Sequence, residues 1–224
     1  MALDTCGSTL MTEIWFIRHG ETDWNHQRRL QGWQDIALNA TGRAQAARLA
    51  TRLGNPPAPP AFDALYSSDL QRAQHTAEPL AQALALRLRT EPGMRERAYG
   101  VLEGLALDDI DRLAPEAAAA WKSRDPLREL EGGETLGQFQ SRILSTVEDL
   151  AARHAGQRIV VVTHGGALDI IWRRASGVAL NGPREVPLLN VSINRVAVAR
   201  PDWRILGWGD VAHVQQPAGD DVQP

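Results

Sequence analysis

The sequence predicts an α/β fold, a three-layer α/β/α sandwich with a mainly parallel central sheet. Two short apolar runs rich in β-branched and aromatic residues, at 13–18 and 158–163, are typical of buried strands. Stretches with helical spacing of their apolar residues alternate with such runs, and this alternation is typical of parallel sheets. With 224 residues, of which 43% are hydrophobic and 23% charged, the chain can bury one sizeable core.

After the first strand the sequence predicts a polar loop and then a helix over 41–53. We expect Thr41 as its N-cap and Gly54 as its end, because those residue types are favoured at the two positions. The proline-rich stretch 55–60 that follows cannot continue a helix. A second short strand is predicted at 64–67.

A second helix is predicted to begin after Asp69, its expected N-cap, and to be kinked by Pro79. A weak strand signal at 86–90 follows. Residues 92–133 are expected to be irregular with short helical pieces, because glycine, proline and charged residues are frequent there. The remaining pattern predicts a long helix at 134–154, the strand at 158–163, a helix at 165–176, and strands at 191–199 and 203–208.

These elements predict one domain over 13–213, in which 92–133 forms a lid-like insertion. We expect residues 1–12 to be a flexible N-terminal extension and residues 214–224 to be a disordered tail. Met11 stands just before the first strand, so the sequence leaves open whether translation starts at Met1 or at Met11.

Composition restricts the classes of partner. The formal net charge is −3, so the chain lacks the basic field expected for nucleic-acid binding. No apolar run is long enough to span a bilayer, and the first residues lack a signal-peptide pattern, which predicts no membrane association. The single cysteine, Cys6, cannot form an intrachain disulfide and fits a reducing compartment. We therefore expect a cytoplasmic protein.

Two predicted strands end in the same dipeptide, His-Gly. One runs into Arg18-His19-Gly20 and the other into His164-Gly165. Ligands of open α/β sheets bind beyond the carboxyl ends of the strands, so the two imidazoles are predicted to converge on one site. A helix begins directly after His164, and helix N-termini favour anions. A single histidine at such a position is more often a core residue, but the matched pair beside Arg18 favours an anion site.

Arg72 is a second indication of an anion site. It is predicted in the first turn of the helix after Asp69, where a cation opposes the helix dipole by roughly 0.3–1 kcal/mol. Its side chain is either a solvated partner of Asp69 or a cation directed at a ligand anion. A guanidinium suits phosphate because it donates two parallel hydrogen bonds.

Motifs for other chemistries are missing from the sequence. It has no Gly-Lys-Ser/Thr phosphate loop, no Gly-x-Ser-x-Gly turn and no His-Glu-x-x-His pair, and Cys6 has no phosphate-binding loop after it. Asp108, Asp109 and Asp111 are interpreted as a solvated helix face or cap. No metal ion and no cofactor is predicted.

Taken together, these residues resemble the histidine phosphatase superfamily, the phosphoglycerate-mutase-like proteins, over about 13–208. The run from Arg18 to Thr22 matches the signature whose histidine becomes phosphorylated, and the run from Thr163 to Gly166 carries the second histidine. Further matches carry the second phosphate arginine, the proton-donating glutamate and the start of the long helix; they lie at 66–73, 95–104 and 132–135.

The resemblance implies a role for each matched residue. His19 is the implied nucleophile and Glu96 the implied proton donor, and His164, Arg18 and Arg72 complete the implied catalytic set. The pKa of His19 is expected to be lowered and that of Glu96 raised, and no metal is needed because side chains supply the positive charge. The implied phosphate- or substrate-binding residues are Arg18, Gly20, Thr22, Asn25, Gln31, Gly32, Arg72 and Gly165.

The family contains phosphatases and mutases, and we predict a phosphatase that hydrolyses phosphate monoesters through a phosphohistidine. Mutases of this kind carry a long basic insertion, whereas the segment between Gly104 and Glu134 is short and weakly basic. The run from Glu96 to Gly100 resembles the mutase version of its motif, so a cofactor-dependent phosphoglycerate mutase stays the alternative. A non-catalytic phospho-ligand-binding module is a more remote one.

The predicted partner is a small phosphorylated metabolite, because the insertion should partly roof the pocket. Trp24, Trp33 and Trp121 are expected near its rim, as packing residues rather than substrate contacts. The strand at 191–199 is interpreted as a sheet edge that could support a homodimer.

Overall fold

In the computed structural model, which describes residues 10–55 and 61–214, six strands form one sheet. The strands are β1 Thr12–Arg18, β2 Ala64–Ser67, β3 Leu88–Thr90, β4 Arg158–Thr163, β5 Ile193–Ala199 and β6 Asp202–Asp210. Their order across the sheet is β3-β2-β4-β1-β5-β6. Strands β1 to β4 run parallel, and β5 and β6 pair antiparallel with their neighbours, so the mainly parallel sheet is confirmed.

Helices cover both faces of this sheet and complete the three predicted layers. They are α1 Asp23–His26, α2 Ala40–Gly54, α3 Gln71–Leu84, α4 Ile110–Leu113, α5 Pro115–Lys122, α6 Leu136–Arg153 and α7 Gly165–Ser176. Apolar residues of α2 and α3 pack on one face of the sheet, and those of α6 and α7 pack on the other. Residues 1–9 of the predicted extension, the prolines at 56–60 and residues 215–224 of the predicted tail lie outside the described residues. Thr12, predicted in the extension, is the first residue of β1, and Val214, predicted in the tail, is buried.

Strand β1 shows why the central strands are continuously apolar. Ile14 and Phe16 belong to the core under α6 and α7, whereas Trp15 and Ile17 belong to the core under α2 and α3. Alternate side chains therefore enter different cores, and a strand buried on both faces needs apolar residues at every position.

The segment 92–133 has a small core of its own. Leu102, Ile110 and Trp121 pack together there with Leu30 from the loop after β1. Backbone hydrogen bonds join the same two parts of the chain, from Leu30 N to Leu105 O at 3.1 Å and from Gly104 N to Leu30 O at 2.8 Å. The segment is irregular with short helical pieces, as predicted, and it lies beside the loop that leaves the end of β1.

Two predicted helix caps are wrong. Asn39, not Thr41, caps α2, because its side chain accepts the hydrogen bond from Gly42 N at 2.8 Å. Asp69 does not cap α3, whose N-cap is Leu70 and has no side-chain bond. The Asp69 carboxylate instead receives the guanidinium of Arg95, a cation 26 residues further along the chain. A distant charge has displaced the local capping interaction that the sequence favoured.

Some predicted boundaries and one predicted edge also differ. Gly54 is the last residue of α2 rather than its end signal, and the long helix α6 begins after its N-cap Thr135. Pro79 lies inside α3, which continues to Leu84. Strand β5 lies between β1 and β6, so the predicted edge at 191–199 is wrong and β6 forms the edge of the sheet.

Candidate active site

The two histidines meet at the carboxyl edge of the sheet. Strands β1 and β4 are parallel neighbours in which Arg18 lies opposite Thr163, so the next residue of each strand leaves the sheet at the same height. His19 N donates to Thr163 O at 2.9 Å, and the ring centroids of His19 and His164 are 5.2 Å apart. Both side chains are buried. The predicted convergence is confirmed.

Local hydrogen bonds fix the free nitrogen of His19. Its Nδ1 lies 2.7 Å from Gly20 O, and since a carbonyl only accepts, Nδ1 carries the proton and Nε2 keeps its lone pair. Burial lowers the pKa of His19 well below its usual value, and the charges of Arg72 and Arg18 lower it further. The ring is therefore neutral at pH 7, with Nε2 available as a nucleophile.

His164 is held by two partners. Arg72 Nε donates to its Nδ1 at 3.2 Å, so the neutral ring carries its proton on Nε2, which lies 2.9 Å from Ser68 Oγ. Burial and the nearby Arg72 lower the pKa of His164 well below its usual value. No sequence pattern singles out Ser68, although it lies directly after β2 at the edge where the ligand site was expected.

Arg72 is a buried cation directed into the site. It lies in the first turn of α3, and its guanidinium donates to Gln34 O at 2.8 Å and to Gly32 O at 2.7 Å. Burial lowers the pKa of Arg72 to about 10, so the group stays charged at neutral pH. Because Asp69 pairs with Arg95, the alternative of an exposed Arg72–Asp69 pair is wrong.

Arg18 and His19 are braced by a segment that sequence reasoning missed. Arg18 donates through NH1 to Leu188 O, and Asn190 Nδ2 donates to His19 O at 2.9 Å. Val191 N donates to Arg18 O at 3.0 Å. The backbone of Val191 has a φ of 52°, an unfavourable conformation for a β-branched residue. The sheet topology explains this contact. Strand β5 runs antiparallel to β1 and begins where β1 ends, so the chain just before β5 lies beside Arg18 and His19.

Glu96 is a buried carboxylate that lines the same cavity as His19. Its Oε1 accepts from Arg97 N and its Oε2 from Gly166 N, both at 2.8 Å. Burial raises the pKa of Glu96, although these amides and the charges of Arg72 and Arg18 oppose the shift. A Cβ on Gly166 would lie 2.2 Å from Oε1, so only glycine fits there. The carboxylate makes no ion pair with Arg97, whose guanidinium donates to Glu134 O.

A cavity of about 40 Å³ opens between these groups. It is lined by Arg18, His19, Asn25, Arg29, Leu30, Gln31, Gly32, Arg72, Glu96 and Tyr99. Three predicted phosphate contacts, Gly20, Thr22 and Gly165, are not among its lining residues. Gly20 N donates to Thr76 Oγ1 at 2.9 Å, and Thr22 caps α1 in a reciprocal bond with Asn25. Gly165 is the first residue of α7, directly after His164.

A second, smaller cavity of about 30 Å³ shares the side chain of Tyr99 with the first. Arg97, Arg124 and Arg184 line it together with Trp121. The carboxylate of Asp169 also lies there and accepts from Arg124 NH2 at 2.8 Å. Burial raises the pKa of Tyr99 well above its usual value, so its hydroxyl stays protonated between the two cavities.

Two further features of the described residues bear on the site. A larger cavity of about 630 Å³ between α2 and strands β5 and β6 contains neither histidine, so size does not identify the site. Within 10–55 and 61–214, no group of three or more His, Cys, Asp or Glu side chains is placed to hold a metal ion. The acidic residues at 108–111 are largely exposed, and Asp108 and Asp111 pair with Arg28 and Lys122.

None of the helices within 10–55 and 61–214 is both long and apolar enough to cross a membrane.

Comparison with known proteins agrees with this geometry. Residues 14–211 match the family model of the histidine phosphatase superfamily, branch 1. The chain is 38% identical to phosphoglycerate mutase-like protein 4 of Arabidopsis thaliana, over 91% of this chain and 87% of that protein. It is 39% identical to the metal-independent phosphoserine phosphatase of the same plant, over 91% and 84%.

A solved structure, YhfR of Bacillus stearothermophilus, superposes with a TM-score of 0.80 at 31% identity and covers 90% of this chain and 98% of that one. The family model spans nearly all of the described residues. The chain therefore belongs to the histidine phosphatase superfamily, and its fold is that of the phosphoglycerate-mutase-like proteins.

Proposed function

We propose that this member of the histidine phosphatase superfamily hydrolyses phosphate monoesters of small molecules through a phosphohistidine on His19. One observation carries the proposal: a neutral imidazole with a free Nε2 lies beside two buried guanidiniums and a carboxyl group whose pKa is raised. A neutral imidazole can attack phosphorus, guanidiniums bind a tetrahedral dianion, and a protonated carboxyl can protonate a leaving alkoxide.

In the first step, His19 Nε2 forms a bond to phosphorus in line with the bond to the leaving oxygen, which breaks. Glu96 gives its proton to that oxygen, and the alcohol departs. Arg18 and Arg72 neutralise charge on the equatorial oxygens, and His164 orients Arg72 through the bond to Nδ1. In the second step the Glu96 carboxylate takes a proton from water, whose oxygen displaces His19 and yields inorganic phosphate.

The remaining predicted phosphate contacts fall into three groups. Asn25, Gln31 and Gly32 line the cavity, which supports direct contact with the substrate. Gly20 and Thr22 make internal hydrogen bonds, and their contribution in this proposal is to shape the loop after His19. Gly165 is the first residue of α7, and its contribution in this proposal is the N–H and the helix dipole at that N-terminus, which favour an anion.

The second cavity supports a substrate whose leaving group is itself acidic. Arg97 and Arg124 line that cavity on the far side of Tyr99, and cations there would bind a carboxylate joined to the phosphorylated carbon chain. One relative is a phosphoserine phosphatase, and O-phosphoserine has this chemistry. We therefore propose small phosphorylated acids as substrates. A cytoplasmic location and a homodimer stay predictions.

The mutase alternative has one observation in its favour. Arg97 and Tyr99, in the motif that resembles the mutase version, both line the second cavity, where a phosphoglycerate carboxylate would also fit. The short segment after Gly104 argues against it, because few cations are left to hold a doubly phosphorylated intermediate. A purely binding role is disfavoured because Arg18, His19, Arg72, Glu96 and His164 gather in one site.

The deciding experiment supplies 3-phosphoglycerate with a bisphosphoglycerate primer and follows both products. We expect inorganic phosphate, released also from O-phosphoserine and p-nitrophenyl phosphate, and no release by His19→Asn. Rapid formation of 2-phosphoglycerate without phosphate release would replace the phosphatase with the mutase. No turnover of any phosphate ester across a broad panel would contradict both enzymatic functions.

A further inference from the structure

One arginine that does not line the cavity, Arg142, donates hydrogen bonds to the backbone around Glu96. Arg142 lies in α6, and its side chain is 21% exposed. Its NH1 donates to Gly93 O at 2.9 Å and Arg95 O at 3.0 Å, and its NH2 donates to Glu96 O at 3.0 Å. Three carbonyls within four residues, from the short 3-10 turn at Pro92–Met94 and the irregular chain after it, therefore converge on one guanidinium.

The same guanidinium forms an ion pair with the carboxylate of Glu134. Arg142 Nε donates to Glu134 Oε1 at 2.8 Å, and NH2 donates to Glu134 Oε2 at 2.7 Å. Oε2 of this carboxylate also accepts from Ala98 N at 3.0 Å. The Arg142–Glu134 pair thus holds carbonyls before and at Glu96 and an amide after it, which fixes both flanks of the residue.

Trp33 also donates a hydrogen bond to the backbone of Glu96. Its Nε1 donates to Glu96 O at 2.8 Å, so this one carbonyl receives hydrogen bonds from both Trp33 and Arg142. The Arg142 guanidinium lies 5.9 Å from the Trp33 ring centroid and 5.2 Å from that of Phe139. On the opposite side, the Glu96 carboxylate is seated on the amides of Arg97 and Gly166.

We propose that Arg142 is a positioning residue for the proton transfer by Glu96, a role that rests on the function proposed above. A proton donor must stand within hydrogen-bond reach of the leaving oxygen, and a misplacement of about 1 Å can cost about 10²-fold in rate. Arg142 cannot reach the substrate cavity itself, because its donors are committed to Glu134 and to the backbone. It acts by holding the main chain from which the carboxyl group projects.

A purely structural role for Arg142 makes a different prediction. Loss of general stability would lower the turnover of all substrates alike, since every step needs a folded site. A displaced proton donor slows the release of alkoxides, which leave only when protonated. It hardly affects p-nitrophenolate, which is a weak base and leaves without a proton. The ratio of kcat/KM for the two substrate types therefore separates the two roles.

The experiment compares Arg142→Met, Arg142→Lys and Arg158→Met. Arg158 is the matched control, because it also pairs with a carboxylate, Glu13, at similar exposure but at the other end of β4. Substrates are p-nitrophenyl phosphate and an alkyl phosphate turned over by the wild type, with kcat/KM measured against pH. Glu96→Gln is run in parallel, to test the proton donor itself.

For Arg142→Met we expect kcat/KM to fall about 10–100-fold with the alkyl phosphate and less than about threefold with p-nitrophenyl phosphate. The alkaline limb of its pH profile should move to lower pH, because a loosened carboxyl group is better hydrated and its pKa falls. Arg142→Lys should show the same pattern more weakly, and Arg158→Met should show no change in the substrate ratio.

Equal losses for both substrates with an unmoved alkaline limb would overturn the positioning role. If Arg142→Met does not fold, the comparison is made with Arg142→Lys, and an unchanged substrate ratio in that variant overturns the role as well. If Glu96→Gln itself shows no substrate difference, the proposed proton donor is wrong, which is a distinct result from a failure at Arg142 alone.

Discussion

In the proposed mechanism, the phosphate end and the leaving-group end of this site are built in different ways. At the phosphate end, Arg18, His19 and His164 stand at the ends of two adjacent parallel strands, so the sheet itself fixes their relative positions. At the other end, Glu96 belongs to a segment without regular structure that depends on Arg142 and Trp33 to hold it. The sheet places the backbone of groups on neighbouring strands, whereas the backbone of a group on a loop depends on side chains that hold it.

The difference between the two ends predicts two patterns of effect when their residues are substituted. Changes at the phosphate end should affect every substrate alike, because all of them carry the same phosphoryl group. Changes at the leaving-group end should depend on the substrate, because alcohols differ in how much they need a proton.

The largest effect is expected at the nucleophile. His19→Asn should lower kcat for all phosphate esters by about four to six orders of magnitude, the scale reached when a nucleophile is removed. The matched control is His154→Asn, a buried histidine bound to Tyr66 and Gln157 at the other end of the sheet, where we expect a lower Tm and little change in kcat. Comparable activity in His19→Asn and the wild type would contradict the prediction.

Glu96→Gln removes the proposed proton donor, so its effect on kcat/KM should depend on the leaving group. We expect kcat/KM for an alkyl phosphate to fall about 10²–10⁴-fold, the usual contribution of a general acid. In the wild type, activity should fall as pH rises through the raised pKa of Glu96, since the proton donor is then lost. Activity should also fall as pH drops through the lowered pKa of His19, which then becomes protonated.

The pH profile of Glu96→Gln carries the control for this assignment. The alkaline limb should disappear in the variant, while the acid limb stays in place because His19 is unaltered. An alkaline limb that survives the substitution would assign it to another group.

Arg72→Lys should weaken the phosphate end for every substrate. A lysine keeps the charge but cannot bond His164 Nδ1, Gln34 O and Gly32 O together, so we expect a loss of about 10²–10³-fold in kcat for alkyl and aryl phosphates alike. A loss confined to one type of leaving group would break the division between the two ends.

Binding of inorganic phosphate gives an independent measure of the Arg72 prediction. At one hundred times its Kd, phosphate should stabilise the wild type by about 2.7 kcal/mol, and the rise in Tm should be smaller in Arg72→Lys. Glu96→Gln should keep the full rise, because its side chain faces the leaving group.

Ser68→Ala should give the smallest effect. It removes the hydrogen-bond partner of His164 Nε2, and a bond worth about 0.5–1.5 kcal/mol corresponds to roughly a 2–12-fold loss in kcat/KM. The loss should be the same for p-nitrophenyl phosphate and an alkyl phosphate. The control is Thr51→Val, which removes an exposed hydroxyl that bonds Ala47 O within α2.

Most of the phosphate end could be predicted from the sequence. The strands carrying His19 and His164 are continuous apolar runs, and a parallel sheet brings the ends of adjacent strands together without further information. Arg72 was suggested by a cation at the wrong end of a helix dipole. In each case a short stretch of sequence contains the signal.

The leaving-group end and the braces could not be predicted, because they depend on contacts between distant residues. The Arg18–Leu188 hydrogen bond joins residues that are 170 positions apart in the sequence, and the Arg142–Gly93 hydrogen bond joins residues that are 49 positions apart. The wrong N-cap at Asp69 has the same origin, since Arg95 takes its carboxylate. Periodicity and capping rules describe neighbours along the chain and carry no information on such pairs. Glu96 itself was identified only through the family resemblance.

The central claim, a phosphohistidine on His19, is tested most directly with Glu96→Gln and p-nitrophenyl phosphate. This substrate needs no proton donor to phosphorylate His19, whereas hydrolysis of the intermediate lacks its base, so the phosphoenzyme should accumulate. We predict a burst of p-nitrophenol equal to the enzyme concentration, with acid-labile phosphate on His19. A steady release without a burst and without label, or label that persists when His19 is also replaced by Asn, would contradict the account.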